Sequence, residues 1–158
     1  MINLLGATVA AIAVVGAPSE ATSGVKADPL LVKAAVDYCL AVAEADVTGA
    51  AAIAVGPDGF ERLEERYGTH YWLSGRKKEA GSIVASPGSG RMCTVIANDF
   101  APDGIAPWFS MSTDYFPANE HGNGFVRTVQ GGWVQIGWSR EEFNKATMII
   151  VQAIKETD

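Results

Sequence analysis

Apolar side chains recur at helical spacing between residues 31 and 42, and from residue 69 onward the dominant period falls to two. This change divides the chain into a helical first part and a strand-rich remainder. Leu31, Ala34, Ala35, Tyr38, Cys39 and Val42 share one helical face, with Lys33, Asp37 and Glu44 off it. Asp28-Pro29 supplies a capping carboxylate and a proline suited to the first helical position. Cys39 therefore points inward. Asp46 is placed to end this helix and cap a second, Ala-rich one running to Val55, before Gly56-Pro57-Asp58-Gly59 breaks the pattern and Phe60 anchors the exit. The charged segment from Glu61 to Arg66 fits a short exposed helix or a loop.

THYWLS, GSIVAS and RMCTVIA then read as a three-strand meander, with GRKKEAG and PGSG as its turns. Met92, Thr94 and Ile96 fall on one face of the third strand. Cys93, Val95 and Ala97 fall on the other, which is expected to lie on the first helix. After the turn cluster Asn98 to Gly104, the set Ile105, Trp108, Phe109, Ser112, Tyr115 and Phe116 has helical spacing, which predicts a helix of about three turns. PANEHGNG, residues 117–124, ends it. GFVRTV and WVQIGWS around Gly131-Gly132 predict a hairpin.

The last segment is ambiguous by period. Ser139 with Glu142 fits a capping box, yet TMIIVQAI is dense in β-branched residues, and the strand reading is preferred. It is supported by an internal echo between YWLSGRKKEAGSIV and IGWSREEFNKATMII, which reads as two similar hairpins. The expected fold is α+β in two layers: N-terminal helices followed by a β-meander, a helix and a second antiparallel β-hairpin or meander.

Composition adds a compartment. The run from Ile2 to Ala17 is almost wholly apolar and ends at Pro18-Ser19-Glu20-Ala21, the pattern of a signal peptide over residues 1–21 with small residues at the cleavage site. A buried first strand, TVAAIAVVG, is the alternative. The run falls short of the roughly 20 residues of a membrane span, so no stable span is expected in the mature chain. Residues 22–158 then form a single domain, periplasmic or secreted. A net charge of -6 disfavours nucleic acid as a partner, because phosphate affinity requires clustered Lys and Arg. The one basic cluster, Arg76-Lys77-Lys78, is followed by Glu79 and reads as a solvated turn.

The chain has two cysteines. In an exported protein, one on an inward helix face and one on an inward strand face predict a Cys39–Cys93 disulfide. Cys39 in a first helix after a leader, Cys93-Thr94-Val95 in a later strand, and Gly124-Phe125 opening a C-terminal hairpin resemble small exported bacterial proteins of unknown function that have a C-[ST]-V strand. That resemblance implies no activity.

Candidate chemistry is sparse. His70 and His121 lack metal-ligand spacing with each other or with a cysteine, so no metal and no cofactor are expected. Gly88-Ser89-Gly90 leads into a strand, which suits neither a phosphate loop nor a nucleophile elbow. Glu120 and His121, with Asp99 or Asp114 as a candidate third group, are the candidate acid-base pair of a hydrolase or transferase. Against it stands a noncatalytic binding or envelope protein that takes a protein or small ligand through its sheet face or the PANEHGNG loop. Tyr71, Trp72, Trp133 and Trp138 are the candidate surface aromatics, since alternation along their strands leaves one of each pair outward.

Overall fold

Asp28 is extended, and its side chain accepts from the Leu30 amide at 2.8 Å, which caps the first helix, α1 (Pro29–Thr48). The computed structural model describes residues 25–51, 53, 55–66, 68–75, 80–87, 91–141 and 145–156. The proposed leader, the Arg76-Lys77-Lys78 cluster and the Gly88-Ser89-Gly90 turn lie outside the described residues. α1 does not end at Asp46. The Asp46 carboxylate faces Lys155 at 3.6 Å instead of capping a new helix, and the chain leaves the helix at Gly49 in the left-handed conformation, φ 73°. No second helix follows in the described part of residues 50–60.

Among the described residues eight strands form one antiparallel sheet. They are β1 (Glu61–Arg66), β2 (Thr69–Leu73), β3 (Ser82–Pro87), β4 (Met92–Ala97), β5 (Phe116–Pro117), β6 (Gly124–Val129), β7 (Gly132–Glu141) and β8 (Ala146–Lys155). Their order is β1-β2-β3-β4-β8-β7-β6-β5, so two four-strand meanders run inward from opposite edges and meet at the β4·β8 seam. The seam pairs Met92 with Gln152 at one end and Ala97 with Thr147 at the other. The fold is α+β, and the last segment is the strand that its β-branched residues favour. The two echoing segments are both hairpins, β2–β3 and β7–β8. They hold different places in their meanders, so the echo does not follow the mirrored strand order.

Two further expectations are corrected. Glu61 to Arg66 is neither helix nor loop: it pairs with β2 through a bulge between Arg62 and Glu64, and the Arg62 guanidinium lies 5.9 Å from the centre of the Trp72 ring. The three-turn helix shrinks to a 3-10 turn at Pro102–Gly104 and α2 (Ala106–Ser110). Ile105 and Phe109 bury one turn apart, but Met111 is exposed and the Ser112 hydroxyl accepts from the Asp114 amide, which turns the chain. Tyr115 then packs edge-on against Phe109 at 5.0 Å.

α1 lies against the middle of the sheet and touches β3, β4, β6, β7 and β8. The centre of its buried stripe is Val32, Val36, Cys39 and Ala43, each fully enclosed, which is rotated from the predicted face: Leu31 and Ala34 are only half-buried. Opposite it stand Val84, Cys93, Val95, Val134, Ile136, Ile149 and Val151. Cys39 and Cys93 are bonded, with their Cα atoms 5.4 Å apart, and the bridge joins positions 54 residues apart. Closing a loop of that length stabilises a fold by about 4 kcal/mol in the chain-entropy model. Phe109, Phe125 and Trp138 stack at 5.7 to 6.4 Å and fill the space beside α1 that α2 covers.

Candidate functional site

Alternation along the strands sends every second residue away from α1, and the outward set differs in kind from the inward one. On β4, β8, β7 and β6 it comprises Met92, Thr94 and Ile96; Ala146, Met148, Ile150, Gln152 and Ile154; Trp133, Gln135, Gly137, Ser139 and Glu141; and Gly124, Val126 and Thr128. Its one charged residue, Glu141, stands at the far end of β7. This is a face of apolar and neutral polar groups on a protein whose net charge is -6. Met92 remains 48% exposed there.

The register sets what lies side by side. Gln135 is opposite Gln152, Gly137 is opposite Ile150, and Ser139 is opposite Met148. On the other side Gly137 faces Gly124. A Cβ on Gly124 would lie 3.2 Å from Asn119 Nδ2, so the loop 118–123 closes over Gly124, and the depression lies over Gly137, between the loop on one side and Met148 and Ile150 on the other. A Cβ on Gly137 would make only an ordinary contact, 3.7 Å from the Asn123 carbonyl, so a side chain can be accommodated there. The result is a cleft of about 310 Å³ lined by Asn119, Asn123, Gln135, Gly137, Trp138, Ser139, Met148, Ile150 and Gln152.

The loop is fixed to the sheet by its own polar atoms. The Asn123 carbonyl accepts from the Trp138 amide at 3.1 Å, and the Asn123 Nδ2 donates to the Trp138 carbonyl at 3.3 Å. The Ala118 amide donates to the Gly124 carbonyl at 2.9 Å. Asn119 Oδ1 accepts from the His121 amide at 3.1 Å, which closes an Asx turn. In these bonds Asn119 retains Nδ2 as a donor and Asn123 retains Oδ1 as an acceptor. Among the described lining residues no side chain ionises near neutral pH, and what they offer is hydrogen-bonding capacity.

No protein-family model, no curated protein and no solved structure matches the chain. Its own geometry must therefore carry the reading.

Glu120 and His121 are exposed at the tip of the same loop and are not among the residues that line the cleft. Asp99 sits in the exposed turn after β4. Asp114 lines a second cleft of about 610 Å³, together with Glu44, Thr48, Thr113, Phe116, Arg127, Thr128, Val129 and Gln130. In that cleft the Arg127 guanidinium is paired with the Glu44 carboxylate and lies 5.4 Å from the centre of the Tyr115 ring. Burial raises the Tyr115 phenol above its ordinary pKa of 10.0, against the opposing pull of Arg127. Among the described residues no group of three His, Cys, Asp or Glu is placed to hold a metal ion.

The four candidate aromatics divide by face. Trp72 is 7% exposed and Trp138 is 8% exposed, both on the α1 side. Tyr71 and Trp133, each half-buried, take the outward positions. The cleft amides were not singled out from sequence. A signal for them exists in VQIGWS, where Gln135, Gly137 and Ser139 interrupt a buried strand at every second place, and in the two asparagines of PANEHGNG.

Proposed function

We propose that the chain is an exported, noncatalytic binding domain whose ligand surface is the outer sheet face together with the Pro117 to Gly124 loop. The observation that carries this reading is the cleft over Gly137, where loop and sheet converge five neutral hydrogen-bonding side chains on an apolar floor. Few polar groups converging on an apolar surface is the usual composition of a small-molecule site. The described lining residues are neutral hydrogen-bonding and apolar groups, a composition suited to holding a ligand. The Cys39–Cys93 bond supports an oxidising compartment, and no helix among the described residues is long and apolar enough to cross a membrane.

Equilibrium dialysis against the small-molecule fraction of a cell-envelope extract, read by mass spectrometry, tests the binding. The wild type is expected to retain at least one compound that Gly137→Val, with the depression filled, does not. Equal retention by both proteins removes the cleft from the function. Intact-mass analysis after expression in an export-competent host tests the compartment. Loss of residues 1–21, with cysteines that resist alkylation until reduced, is expected; an uncleaved and doubly alkylatable product contradicts export.

A further inference from the structure

We infer that the cleft takes a neutral, hydroxyl-rich ligand of the carbohydrate class, an inference that rests on the binding function proposed above. The retained atoms of Asn119 and Asn123 are a donor and an acceptor on the same loop, and Gln135 and Gln152 face each other across the β7·β8 ladder. Each amide offers both hydrogen-bonding roles, and a sugar hydroxyl also donates and accepts, so adjacent hydroxyls can be matched without any charge. An ionised ligand meets the opposite situation: it would lose hydration in the cleft with no counter-charge on the lining to replace it. The floor suits the same class, because the apolar strip beside Gly137 gives the C–H face of a sugar ring a surface to lie on.

Size and extension agree. A cleft of about 310 Å³ corresponds to about ten water volumes, enough for a single pyranose of about a dozen non-hydrogen atoms. Trp133 lies two residues before Gln135 on the same face of β7 and is half-buried, its ring next along the stripe from the amides. At about 3.4 Å per residue Trp133 lies about 7 Å beyond Gln135 and about 14 Å beyond Gly137, so a further ring of an extended ligand seated over Gly137 reaches Trp133. An aromatic platform beside neutral amides fits a short oligosaccharide better than a lone monosaccharide.

The test uses the full-length oxidised protein, labelled with nitrogen-15. It is titrated separately with neutral trisaccharides of glucose, mannose, galactose and N-acetylglucosamine, with a uronic-acid trisaccharide, and with trialanine. At least one neutral trisaccharide is expected to shift the Gly137 amide and the side-chain amides of Asn119 and Asn123, more tightly than its monosaccharide. Gln135→Ala and Trp133→Ala should each weaken that binding by roughly five- to tenfold, with an unchanged melting temperature as the control for folding. If only the charged trisaccharide or trialanine shifts the same amides, the carbohydrate class is wrong and the cleft stands as a site. If no probe shifts them, both the class and the cleft are overturned.

Discussion

Strand β8 shows two environments in one run of six residues. Thr147, Ile149 and Val151 are fully buried on the inner face, whereas Met148 and Ile150 are half-buried and Gln152 is exposed on the outer face. Both sets descend from the same β-branched, apolar sequence, and a spacing of two separates them. The difference lies in what covers each face. One is closed by a capped helix that a disulfide holds to β4, and it tolerates no loss of volume. Among the described residues the other is covered at its margin, by the loop 118–123, and its chemistry is free to serve a ligand.

The largest effect that would break this comparison is removal of the bridge. Cys39→Ala with Cys93→Ala should lower unfolding stability by about 4 kcal/mol, measured as the urea midpoint multiplied by the slope. Little change would mean that α1 holds to the sheet by packing alone. The next is a matched pair of neighbours. Ile149→Ala should cost about 3 kcal/mol by opening a cavity under α1, and Ile150→Ala about 1 kcal/mol. Similar costs in urea unfolding would show that the two faces are equally covered.

How much of this was legible in the sequence follows the same division. α1, β2 to β4 and β6 to β8 could be read because one buried face leaves a clean period of 3.6 or 2. The inward position of Cys93 followed from that alternation, and the Cys39–Cys93 pair followed from it together with the helical face. β1 was hidden because ERLEER is charged throughout and gains its strand pairing from β2, with Arg62 stacking on a Trp72 that local pattern does not reveal. α2 was overextended because Tyr115 and Phe116 keep helical spacing after Ser112 has already turned the chain. Asp46 misled for a related reason: a carboxylate suited to capping is engaged by Lys155, which arrives from the far end of the sequence. Within the site, the loop was visible from its turn formers, but attention falls on His121 and Glu120 because they titrate. The amides that line the cleft become a group only when β7, β8 and the loop are brought together.

A smaller effect concerns the sheet's other edge. With its phenol raised by burial, the folded protein keeps the Tyr115 proton at a pH where the unfolded chain has lost it. That contribution is complete below about pH 10 and is lost as the pH rises through the folded value. Tyr115→Phe should therefore flatten the decline of stability as the pH rises above about 10, followed by urea unfolding at each pH. An unchanged slope would mean that Tyr115 is as solvated as in the unfolded chain.

The two-face account is tested most directly by methyl-resolved NMR on β8 during titration with the trisaccharide that binds. The expected result is shifts at Met148 and Ile150 on the outer face, with Ile149 and Val151 between them unmoved. Shifts of Ile149 and Val151 equal to those of their neighbours, or shifts confined to residues away from β8, would contradict it.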